Sequence, residues 1–340
     1  MPDELRVRSA TPADLPAILD LVRRSLGEGF VPDDPAFWSW KHARSPFGPS
    51  PCLLAEADGE LVGLRVFMRW SWCYGGKVVS AVRAVDTATH PSWRGRGIFS
   101  RLTLALVKQM KEEGTAFVFN TPNEQSRPGY LKMGWTSLGR VSLWVAPLRP
   151  VRLARALVSR TGGGNQLPGV TRPGLASVAQ LLDQQGLGAL LEQLPDADQR
   201  LTTAPTLSYL RWRYCDVPGF SYHAAWAFLG REGAAAVFRL KQRNGLNELR
   251  LCELVVGRSP LSRRLGHELC RGLLTEAGAD YSVAVAAGGT PEQQVLLRSG
   301  FIPAPRVGPV FTIRPLCPNG GPDPLRRPSW RLSIGSLELF

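Results

Sequence analysis

Two short groups of residues between Val78 and Trp135 have the types and spacing to do chemistry. The first is Arg94-Gly95-Arg96-Gly97-Ile98-Phe99. It follows a Val- and Ala-rich run that includes Asp86, Ala88, Thr89 and His90 and reads as a strand. It leads at once into a stretch that reads as a helix. A strand–turn–helix of this kind presents free backbone N–H groups at a positive helix end, which suits a diphosphate. Glycines let an anion approach the backbone without a Cβ in the way. The turn alone is a weak signal, since an ordinary strand-to-helix turn has the same look. The second group adds weight to it: Asn123, Ser126, Tyr130, Lys132, Gly134 and Trp135 fall in order on a short helix and its exit. A phenol such as Tyr130, with an ordinary pKa of about 10, is able to give a proton to a departing thiolate. The alternative is a core tyrosine packed behind the helix.

Together these segments resemble the GCN5-related N-acetyltransferase (GNAT) family. Arg94 and Gly97 match the family's phosphate turn, with Gly95 and Arg96 in its variable positions. Phe99 departs from the small residue that closes that turn, so its ring either narrows the cradle or turns into the core. Asn123 matches the residue that contacts pantetheine, Ser126 a small residue, and Tyr130 the general acid. More narrowly, Asp86–Phe99 and Phe119–Tyr130 resemble a bacterial, largely uncharacterised branch with tandem GNAT domains. The resemblance implies acetyl-CoA as cosubstrate and a small-molecule or peptide amine as acceptor. It also implies a backbone at Ala88, Thr89 and His90 that pairs with pantetheine and donates to the developing oxyanion.

The base is less legible. Asp86 sits inside an apolar strand, where a buried carboxylate needs a partner. It is a candidate base or ammonium anchor, or else a carboxylate bonded to a neighbour such as Arg83. His90 and Glu124 are further candidates, with a solvated loop histidine and a helix first-turn charge as their alternatives.

The elements that must position these groups read as a strand at Arg6, a helix capped by Thr11 and an aromatic helix at Phe37–Lys41. A hairpin across Asp58-Gly59, the long strand ending at Thr89, a helix, a strand at Phe117–Asn120 and a last short helix follow. The fold class expected is α/β (α+β), a mixed, mostly antiparallel sheet flanked by helices. The strands ending at Thr89 and Asn120 should splay to admit pantetheine. Five tryptophans, Trp38, Trp40, Trp70, Trp72 and Trp93, are either a pocket wall or core packing.

Of the 340 residues 44% are hydrophobic and 20% charged, enough for two cores. No apolar run reaches membrane-span length and the N-terminus does not read as a signal peptide, which points to a cytoplasmic protein. Cys52, Cys73, Cys215, Cys252, Cys270 and Cys317 are scattered and only four histidines exist, so neither a metal site nor a disulfide framework is expected. The net charge of +13 comes mainly from singly scattered arginines, with no block of like charge and no nucleic-acid motif. A nucleic-acid partner is therefore not expected, and the oligomeric state stays open.

Residues 1–150 read as the catalytic domain, 151–175 as a Gly/Pro-rich linker, and 176–340 as a second, GNAT-like domain with a tail that alternates like a strand. Tyr130–Trp135 is echoed by Leu296–Phe301, and Phe37–Lys41 by Tyr209–Arg213, at offsets of 166 and 172 residues. The second copy has Leu296 where Tyr130 stands, and Val256-Gly-Arg-Ser-Pro260 in place of the phosphate turn. It reads as degenerate. Two other functions remain open: an aminoacyl-tRNA-dependent ligase with tandem GNAT-like domains, which the basic charge suits, and a non-catalytic acyl-CoA-binding protein.

Overall fold

The computed structural model describes residues 5–26, 34–153, 175–193, 199–243, 245–318 and 320–337. Most of the expected linker lies outside these residues. The chain divides into two compact units, one of Met1–Trp72, Val78–Leu138 and Phe311–Leu325, the other of Cys73–Lys77, Gly139–Val310 and Arg326–Phe340.

The first unit holds β1 (Arg6–Ser9), α1 (Leu15–Leu26), α2 (Pro35–His42), β2 (Cys52–Ala57), β3 (Glu60–Tyr74) and β4 (Lys77–Thr89). It continues with α3 (Ile98–Glu112), β5 (Phe117–Asn120), α4 (Arg127–Lys132), β6 (Thr136–Arg140) and, from far along the chain, β13 (Val310–Pro315). The strand order is β1-β2-β3-β4-β5-β13-β6. Asp58 (φ 52°) and Gly59 (φ 78°) turn β2 into β3, the positive-φ pair that a tight hairpin demands. Helix α1 lays Ile18, Leu21 and Val22 on Leu54, Leu64 and Val66. On another part of the core α3 packs Ile98, Leu102 and Leu106 with Val62, Val82 and Val118. Each such side chain contributes roughly 1.5–3 kcal/mol on full burial. A Cβ at Gly63 would lie 2.5 Å from the Ile98 side chain, so this glycine is what lets α3 come so close to β3.

The second unit contains β7 (Leu143–Pro147), α5 (Val178–Leu182), α6 (Gln185–Glu192) and α7 (Leu207–Leu210), which runs into a π-helical turn at Arg211–Cys215. Next come β8 (His223–Leu229), β9 (Glu232–Arg243), β10 (Leu246–Val256), α8 (Pro260–Glu276), β11 (Tyr281–Ala284), α9 (Pro291–Arg298), β12 (Ile302–Ala304) and α10 (Ile334–Leu337). Its sheet order is β12-β7-β11-β10-β9-β8, with only β10 and β11 parallel. Two mixed, mostly antiparallel sheets flanked by helices are the architecture the sequence implies.

Two details differ from expectation. Strand β7, read as the end of the first domain, lies between β11 and β12 in the second sheet, while β13 lies between β5 and β6 in the first. The tail, read as a strand, instead turns into the short helix α10, with Ser333 and Ser336 bonded across its start.

The echo of Tyr130–Trp135 in Leu296–Phe301 has a physical cause. Helix α4 ends with Trp135 N–H donating to Tyr130 O and Gly134 N–H to Leu131 O, with Gly134 at φ 92°. Helix α9 ends the same way, Phe301 to Leu296 and Gly300 to Leu297, with Gly300 at φ 86°. Both are Schellman ends, which need a left-handed residue followed by an apolar one.

Candidate active site

Strands β4 and β5 pair in parallel at Ala81–Phe117, Val82–Val118 and Arg83–Phe119; β4 then runs on to Thr89. Beyond the paired stretch a cleft of about 420 Å³ opens against the start of α3. Ala88 and Thr89 line it on the strand side, and Arg94, Gly95, Gly97, Ile98 and Phe99 on the turn side. Asn123 and Ser126 line it from the start of α4.

The turn is shaped for an anion. Gly97 is the N-cap of α3 at φ 76°, and no side chain caps the helix. Gly95 is also left-handed, at φ 77°, and a Cβ on either glycine would meet nothing within 4 Å. The first N–H groups of a 15-residue helix therefore point into open space. Diphosphate oxygens fit such a cradle. The Arg94 guanidinium is held by Ser25 O at 2.7 Å. Arg96, by contrast, turns away: its guanidinium lies 4.3 Å from the Trp93 ring centre, and it does not line the cleft.

The Phe99 ring turns toward the core, edge-on to Tyr130 at 5.5 Å and 89°, while its other side still faces the cleft. Gly129 accommodates it, since a Cβ there would lie 3.1 Å from the ring. Asn123 Oδ1 accepts from Ser126 N at 2.8 Å and Ser126 Oγ at 2.9 Å, so it closes the first turn of α4. A ligand contact by Asn123 would use its Nδ2.

Tyr130 is buried, and its Oη accepts from Arg65 Nη2 at 2.7 Å. Arg65 is itself wholly buried in β3; its Nη1 donates to Val85 O at 2.7 Å, on β4 beyond the paired stretch. The guanidinium also lies over the rings of Phe67, Phe99 and Tyr130. Because Arg65 has no acceptor atoms, the Tyr130 hydroxyl hydrogen must point elsewhere. The sequence reading missed Arg65, although an arginine inside the apolar run Leu61–Met68 was the available signal.

Two expectations require correction. Asp86 is not bonded to Arg83, whose Nη2 donates to Thr121 Oγ1 at 3.1 Å. It is gripped by Lys41 Nζ at 2.8 Å and His42 Nε2 at 2.7 Å. Burial alone would raise the Asp86 pKa, but Lys41 and His42 outweigh it and hold the carboxyl well below the carboxylate range. Burial pulls the His42 imidazole down, against Asp86. With Nε2–H donating to Asp86, His42 Nδ1 accepts from Ser50 Oγ at 3.0 Å. The second correction concerns His90. Its backbone N–H donates to Val62 O at 2.9 Å, so it is already used within the sheet and is closed to pantetheine or an oxyanion. Its side chain lines a separate hollow with Asp20 and Glu60.

Trp40, Trp70 and Trp72 are core: Trp70 and Trp72 meet Phe119 edge-on at 6.1 and 5.2 Å. Trp93 lines the cleft. Among the described residues no two cysteines form a disulfide. Among the described residues no group of His, Cys, Asp and Glu could hold a metal, and no helix is long and apolar enough to cross a membrane.

Residues 6–138 match the profile of the acetyltransferase (GNAT) domain. Over these residues the chain carries a GNAT domain. Solved structures similar to it include a GCN5-related N-acetyltransferase from Anabaena variabilis (TM-score 0.63, 11% identity, 92% of this chain and 73% of that one). A probable N-acyltransferase of unknown function from Enterococcus faecalis follows (0.61, 13%, 92% and 73%), as does Eis1 from Mycobacterium abscessus (0.55, 14%, 92% and 74%). At these identities the likeness is one of fold, and it extends over both units. No curated protein matches. The GNAT domain makes the chain an acyltransferase.

Proposed function

We propose that the GNAT unit, acting in the cytoplasm, transfers an acetyl group from acetyl-CoA to a primary amine of a small molecule or peptide. The attack is direct, in a ternary complex, with no covalent enzyme intermediate. The observation that carries this reading is the uncapped N-terminus of α3, open at Gly95 and Gly97, beside the parting of β4 and β5.

Bound acetyl-CoA supplies an activated thioester carbonyl. The Arg94–Phe99 turn holds its diphosphate through backbone N–H groups, and Ala88, Thr89 and Asn123 receive pantetheine. Tyr130 holds the proton destined for the leaving sulfur, and Arg65 fixes its oxygen. Held below the carboxylate range by Lys41 and His42, Asp86 is too weak a base near neutral pH. It ties the end of α2 to β4, and the amine loses its proton to solvent. The second GNAT-like unit, expected over 176–340, takes no part in the transfer chemistry.

Calorimetric titration of acetyl-CoA into the protein tests the reading, beside an Arg94→Glu, Gly97→Trp double variant whose fold is checked by circular dichroism. Micromolar binding that disappears in the folded variant supports it, and absence of binding to the native chain overturns it. An amine panel then separates an enzyme from a relic that binds acetyl-CoA without turnover.

A further inference from the structure

The second unit has a cleft of its own. It measures about 400 Å³ and lies past the end of β11, where Val285, Ala286, Ala287 and Gly288 line it. Val141 and Ser142, just before β7, line it from the strand that runs antiparallel to β11. β10 and β11 are parallel, and the space beyond the carboxyl ends of parallel strands is where open sheets hold their ligands.

Two arginines and two tryptophans converge on this cleft. Leu201 N–H donates to Ser329 O at 2.7 Å and Arg331 N–H to Leu201 O at 2.9 Å, a parallel bridge between Leu201 and Trp330. The bridge sets Arg200 beside the 3-10 turn Arg327–Ser329, and both arginines reach the same lining. Arg200 Nη1 donates to Gly288 O at 2.8 Å, which holds the guanidinium at the wall, and that bond does not exhaust its fork of donors. The Trp144 indole N–H donates to Ala286 O at 3.2 Å and so fixes that ring at the wall too. Trp330 is nearly buried and lines the cleft with Pro328 and Leu332. No aspartate or glutamate is among the described residues of the lining. Burial pulls the Arg327 guanidinium below its ordinary pKa, yet arginine keeps its charge, so the cleft is positive and mostly apolar.

We infer that this cleft is a binding site for an aromatic carboxylate, its carboxylate on the Arg200 and Arg327 guanidinium groups and its ring among Trp144, Trp330, Val285 and Leu332. The charge sets the sign of the ligand, since the lining offers two cations and no acid to answer them. A planar guanidinium meets a carboxylate through two parallel N–H···O bonds. Among the described lining residues none opens an α-helix, so the cradle that suits a diphosphate at α3 is missing and a carboxylate is the anion that fits. Indole rings and aliphatic side chains take a flat apolar body. The volume sets its size: a cavity of about 150 Å³ admits benzene, so about 400 Å³ holds a fused pair of rings with its acid group and water. The site lies within the second unit and does not rest on the acetyltransferase reading.

The test is titration of the full chain with naphthoate, followed by calorimetry and ligand-observed NMR, beside naphthylmethanol, acetate and naphthyl phosphate. Arg200→Met and Arg327→Met keep the length and remove the charge; Ser142→Trp intrudes on the space and serves if neither arginine variant folds. A Gly97→Trp variant reports any binding in the GNAT unit. The expected result is saturable naphthoate binding, weaker for the other three probes and at least about 10-fold weaker in a folded Arg200→Met, Arg327→Met or Ser142→Trp variant. It should persist in the Gly97→Trp variant. Absence of binding, equal or tighter binding of any other probe, loss of binding in Gly97→Trp, or binding unchanged by the substitutions at Arg200, Arg327 and Ser142 overturns the inference.

Discussion

The starts of α3 and α8 occupy the same place in two similar folds, yet one is left open and the other is sealed. At α3 the cap is a left-handed glycine with no side-chain bond and open space around it. At α8 Ser259 Oγ accepts from Ser262 N at 3.0 Å, and Pro260 removes one donor altogether. The Glu232 carboxylate accepts from the hydroxyls of Ser259 and Ser262, and Ser262 Oγ in turn accepts from Gly233 N at 2.9 Å. Glu232 is the anion that this helix end receives. The positive end of a helix attracts negative charge in both units, and what differs is whether the protein supplies it.

The comparison breaks most sharply at the acid. Tyr130→Phe should lower kcat by about 10²–10⁴-fold with acetyl-CoA affinity unchanged, whereas Leu296→Phe at the matching position should leave kcat as it is. Steady-state kinetics with any accepted amine decides this; a normal kcat in Tyr130→Phe removes the tyrosine from the chemistry. Next in size, Gly97→Trp should weaken acetyl-CoA by about 10–100-fold in calorimetry, and Glu232→Gln should not change it. Equal losses in both would mean that the two helix ends share one ligand.

Smaller still, Ser259→Ala should cost about 1 kcal/mol in chemical denaturation, as an N-cap serine does. No such loss follows at α3, which has no capping side chain to remove.

The smallest expected effect is of pH, and its sign differs between units. His42 and Asp86 have lowered pKa values in the folded chain, so their contribution is present above the unfolded values of 6.5 and 3.8 and is lost as pH falls. Burial pushes the Glu253 carboxyl up, so its contribution is complete below 4.5 and is lost as pH rises through its folded value. Thermal midpoints against pH should therefore show Glu253→Gln flattening the decline on the alkaline side. Parallel curves for the native chain and this variant would remove Glu253 from the account.

The glycine turn into α3 and the short helix that carries Tyr130 were legible because both belong to short segments whose spacing is local. The Asp58-Gly59 hairpin was legible for the same reason. Asp86 announced that it needed a partner but not which one: Lys41 and His42 approach it only after α2 packs near β4, and nothing in the local pattern ranks them above Arg83. His90 was misread because a neighbouring strand takes its N–H, and pairing across strands is not written in one segment. The exchange of β7 and β13 was hidden for a related reason. Leu143–Pro147 and Val310–Pro315 are short, apolar and interchangeable in pattern, and the partner of each is set by tertiary structure.

That exchange has a consequence in time. During synthesis β5 emerges long before Val310–Pro315, the strand that pairs with it at Asn120–Thr312. At about 5–20 residues per second the wait is on the order of 10–40 s. Through that interval one side of β5 waits for its partner strand, so the nascent chain is where a chaperone would find this protein most receptive.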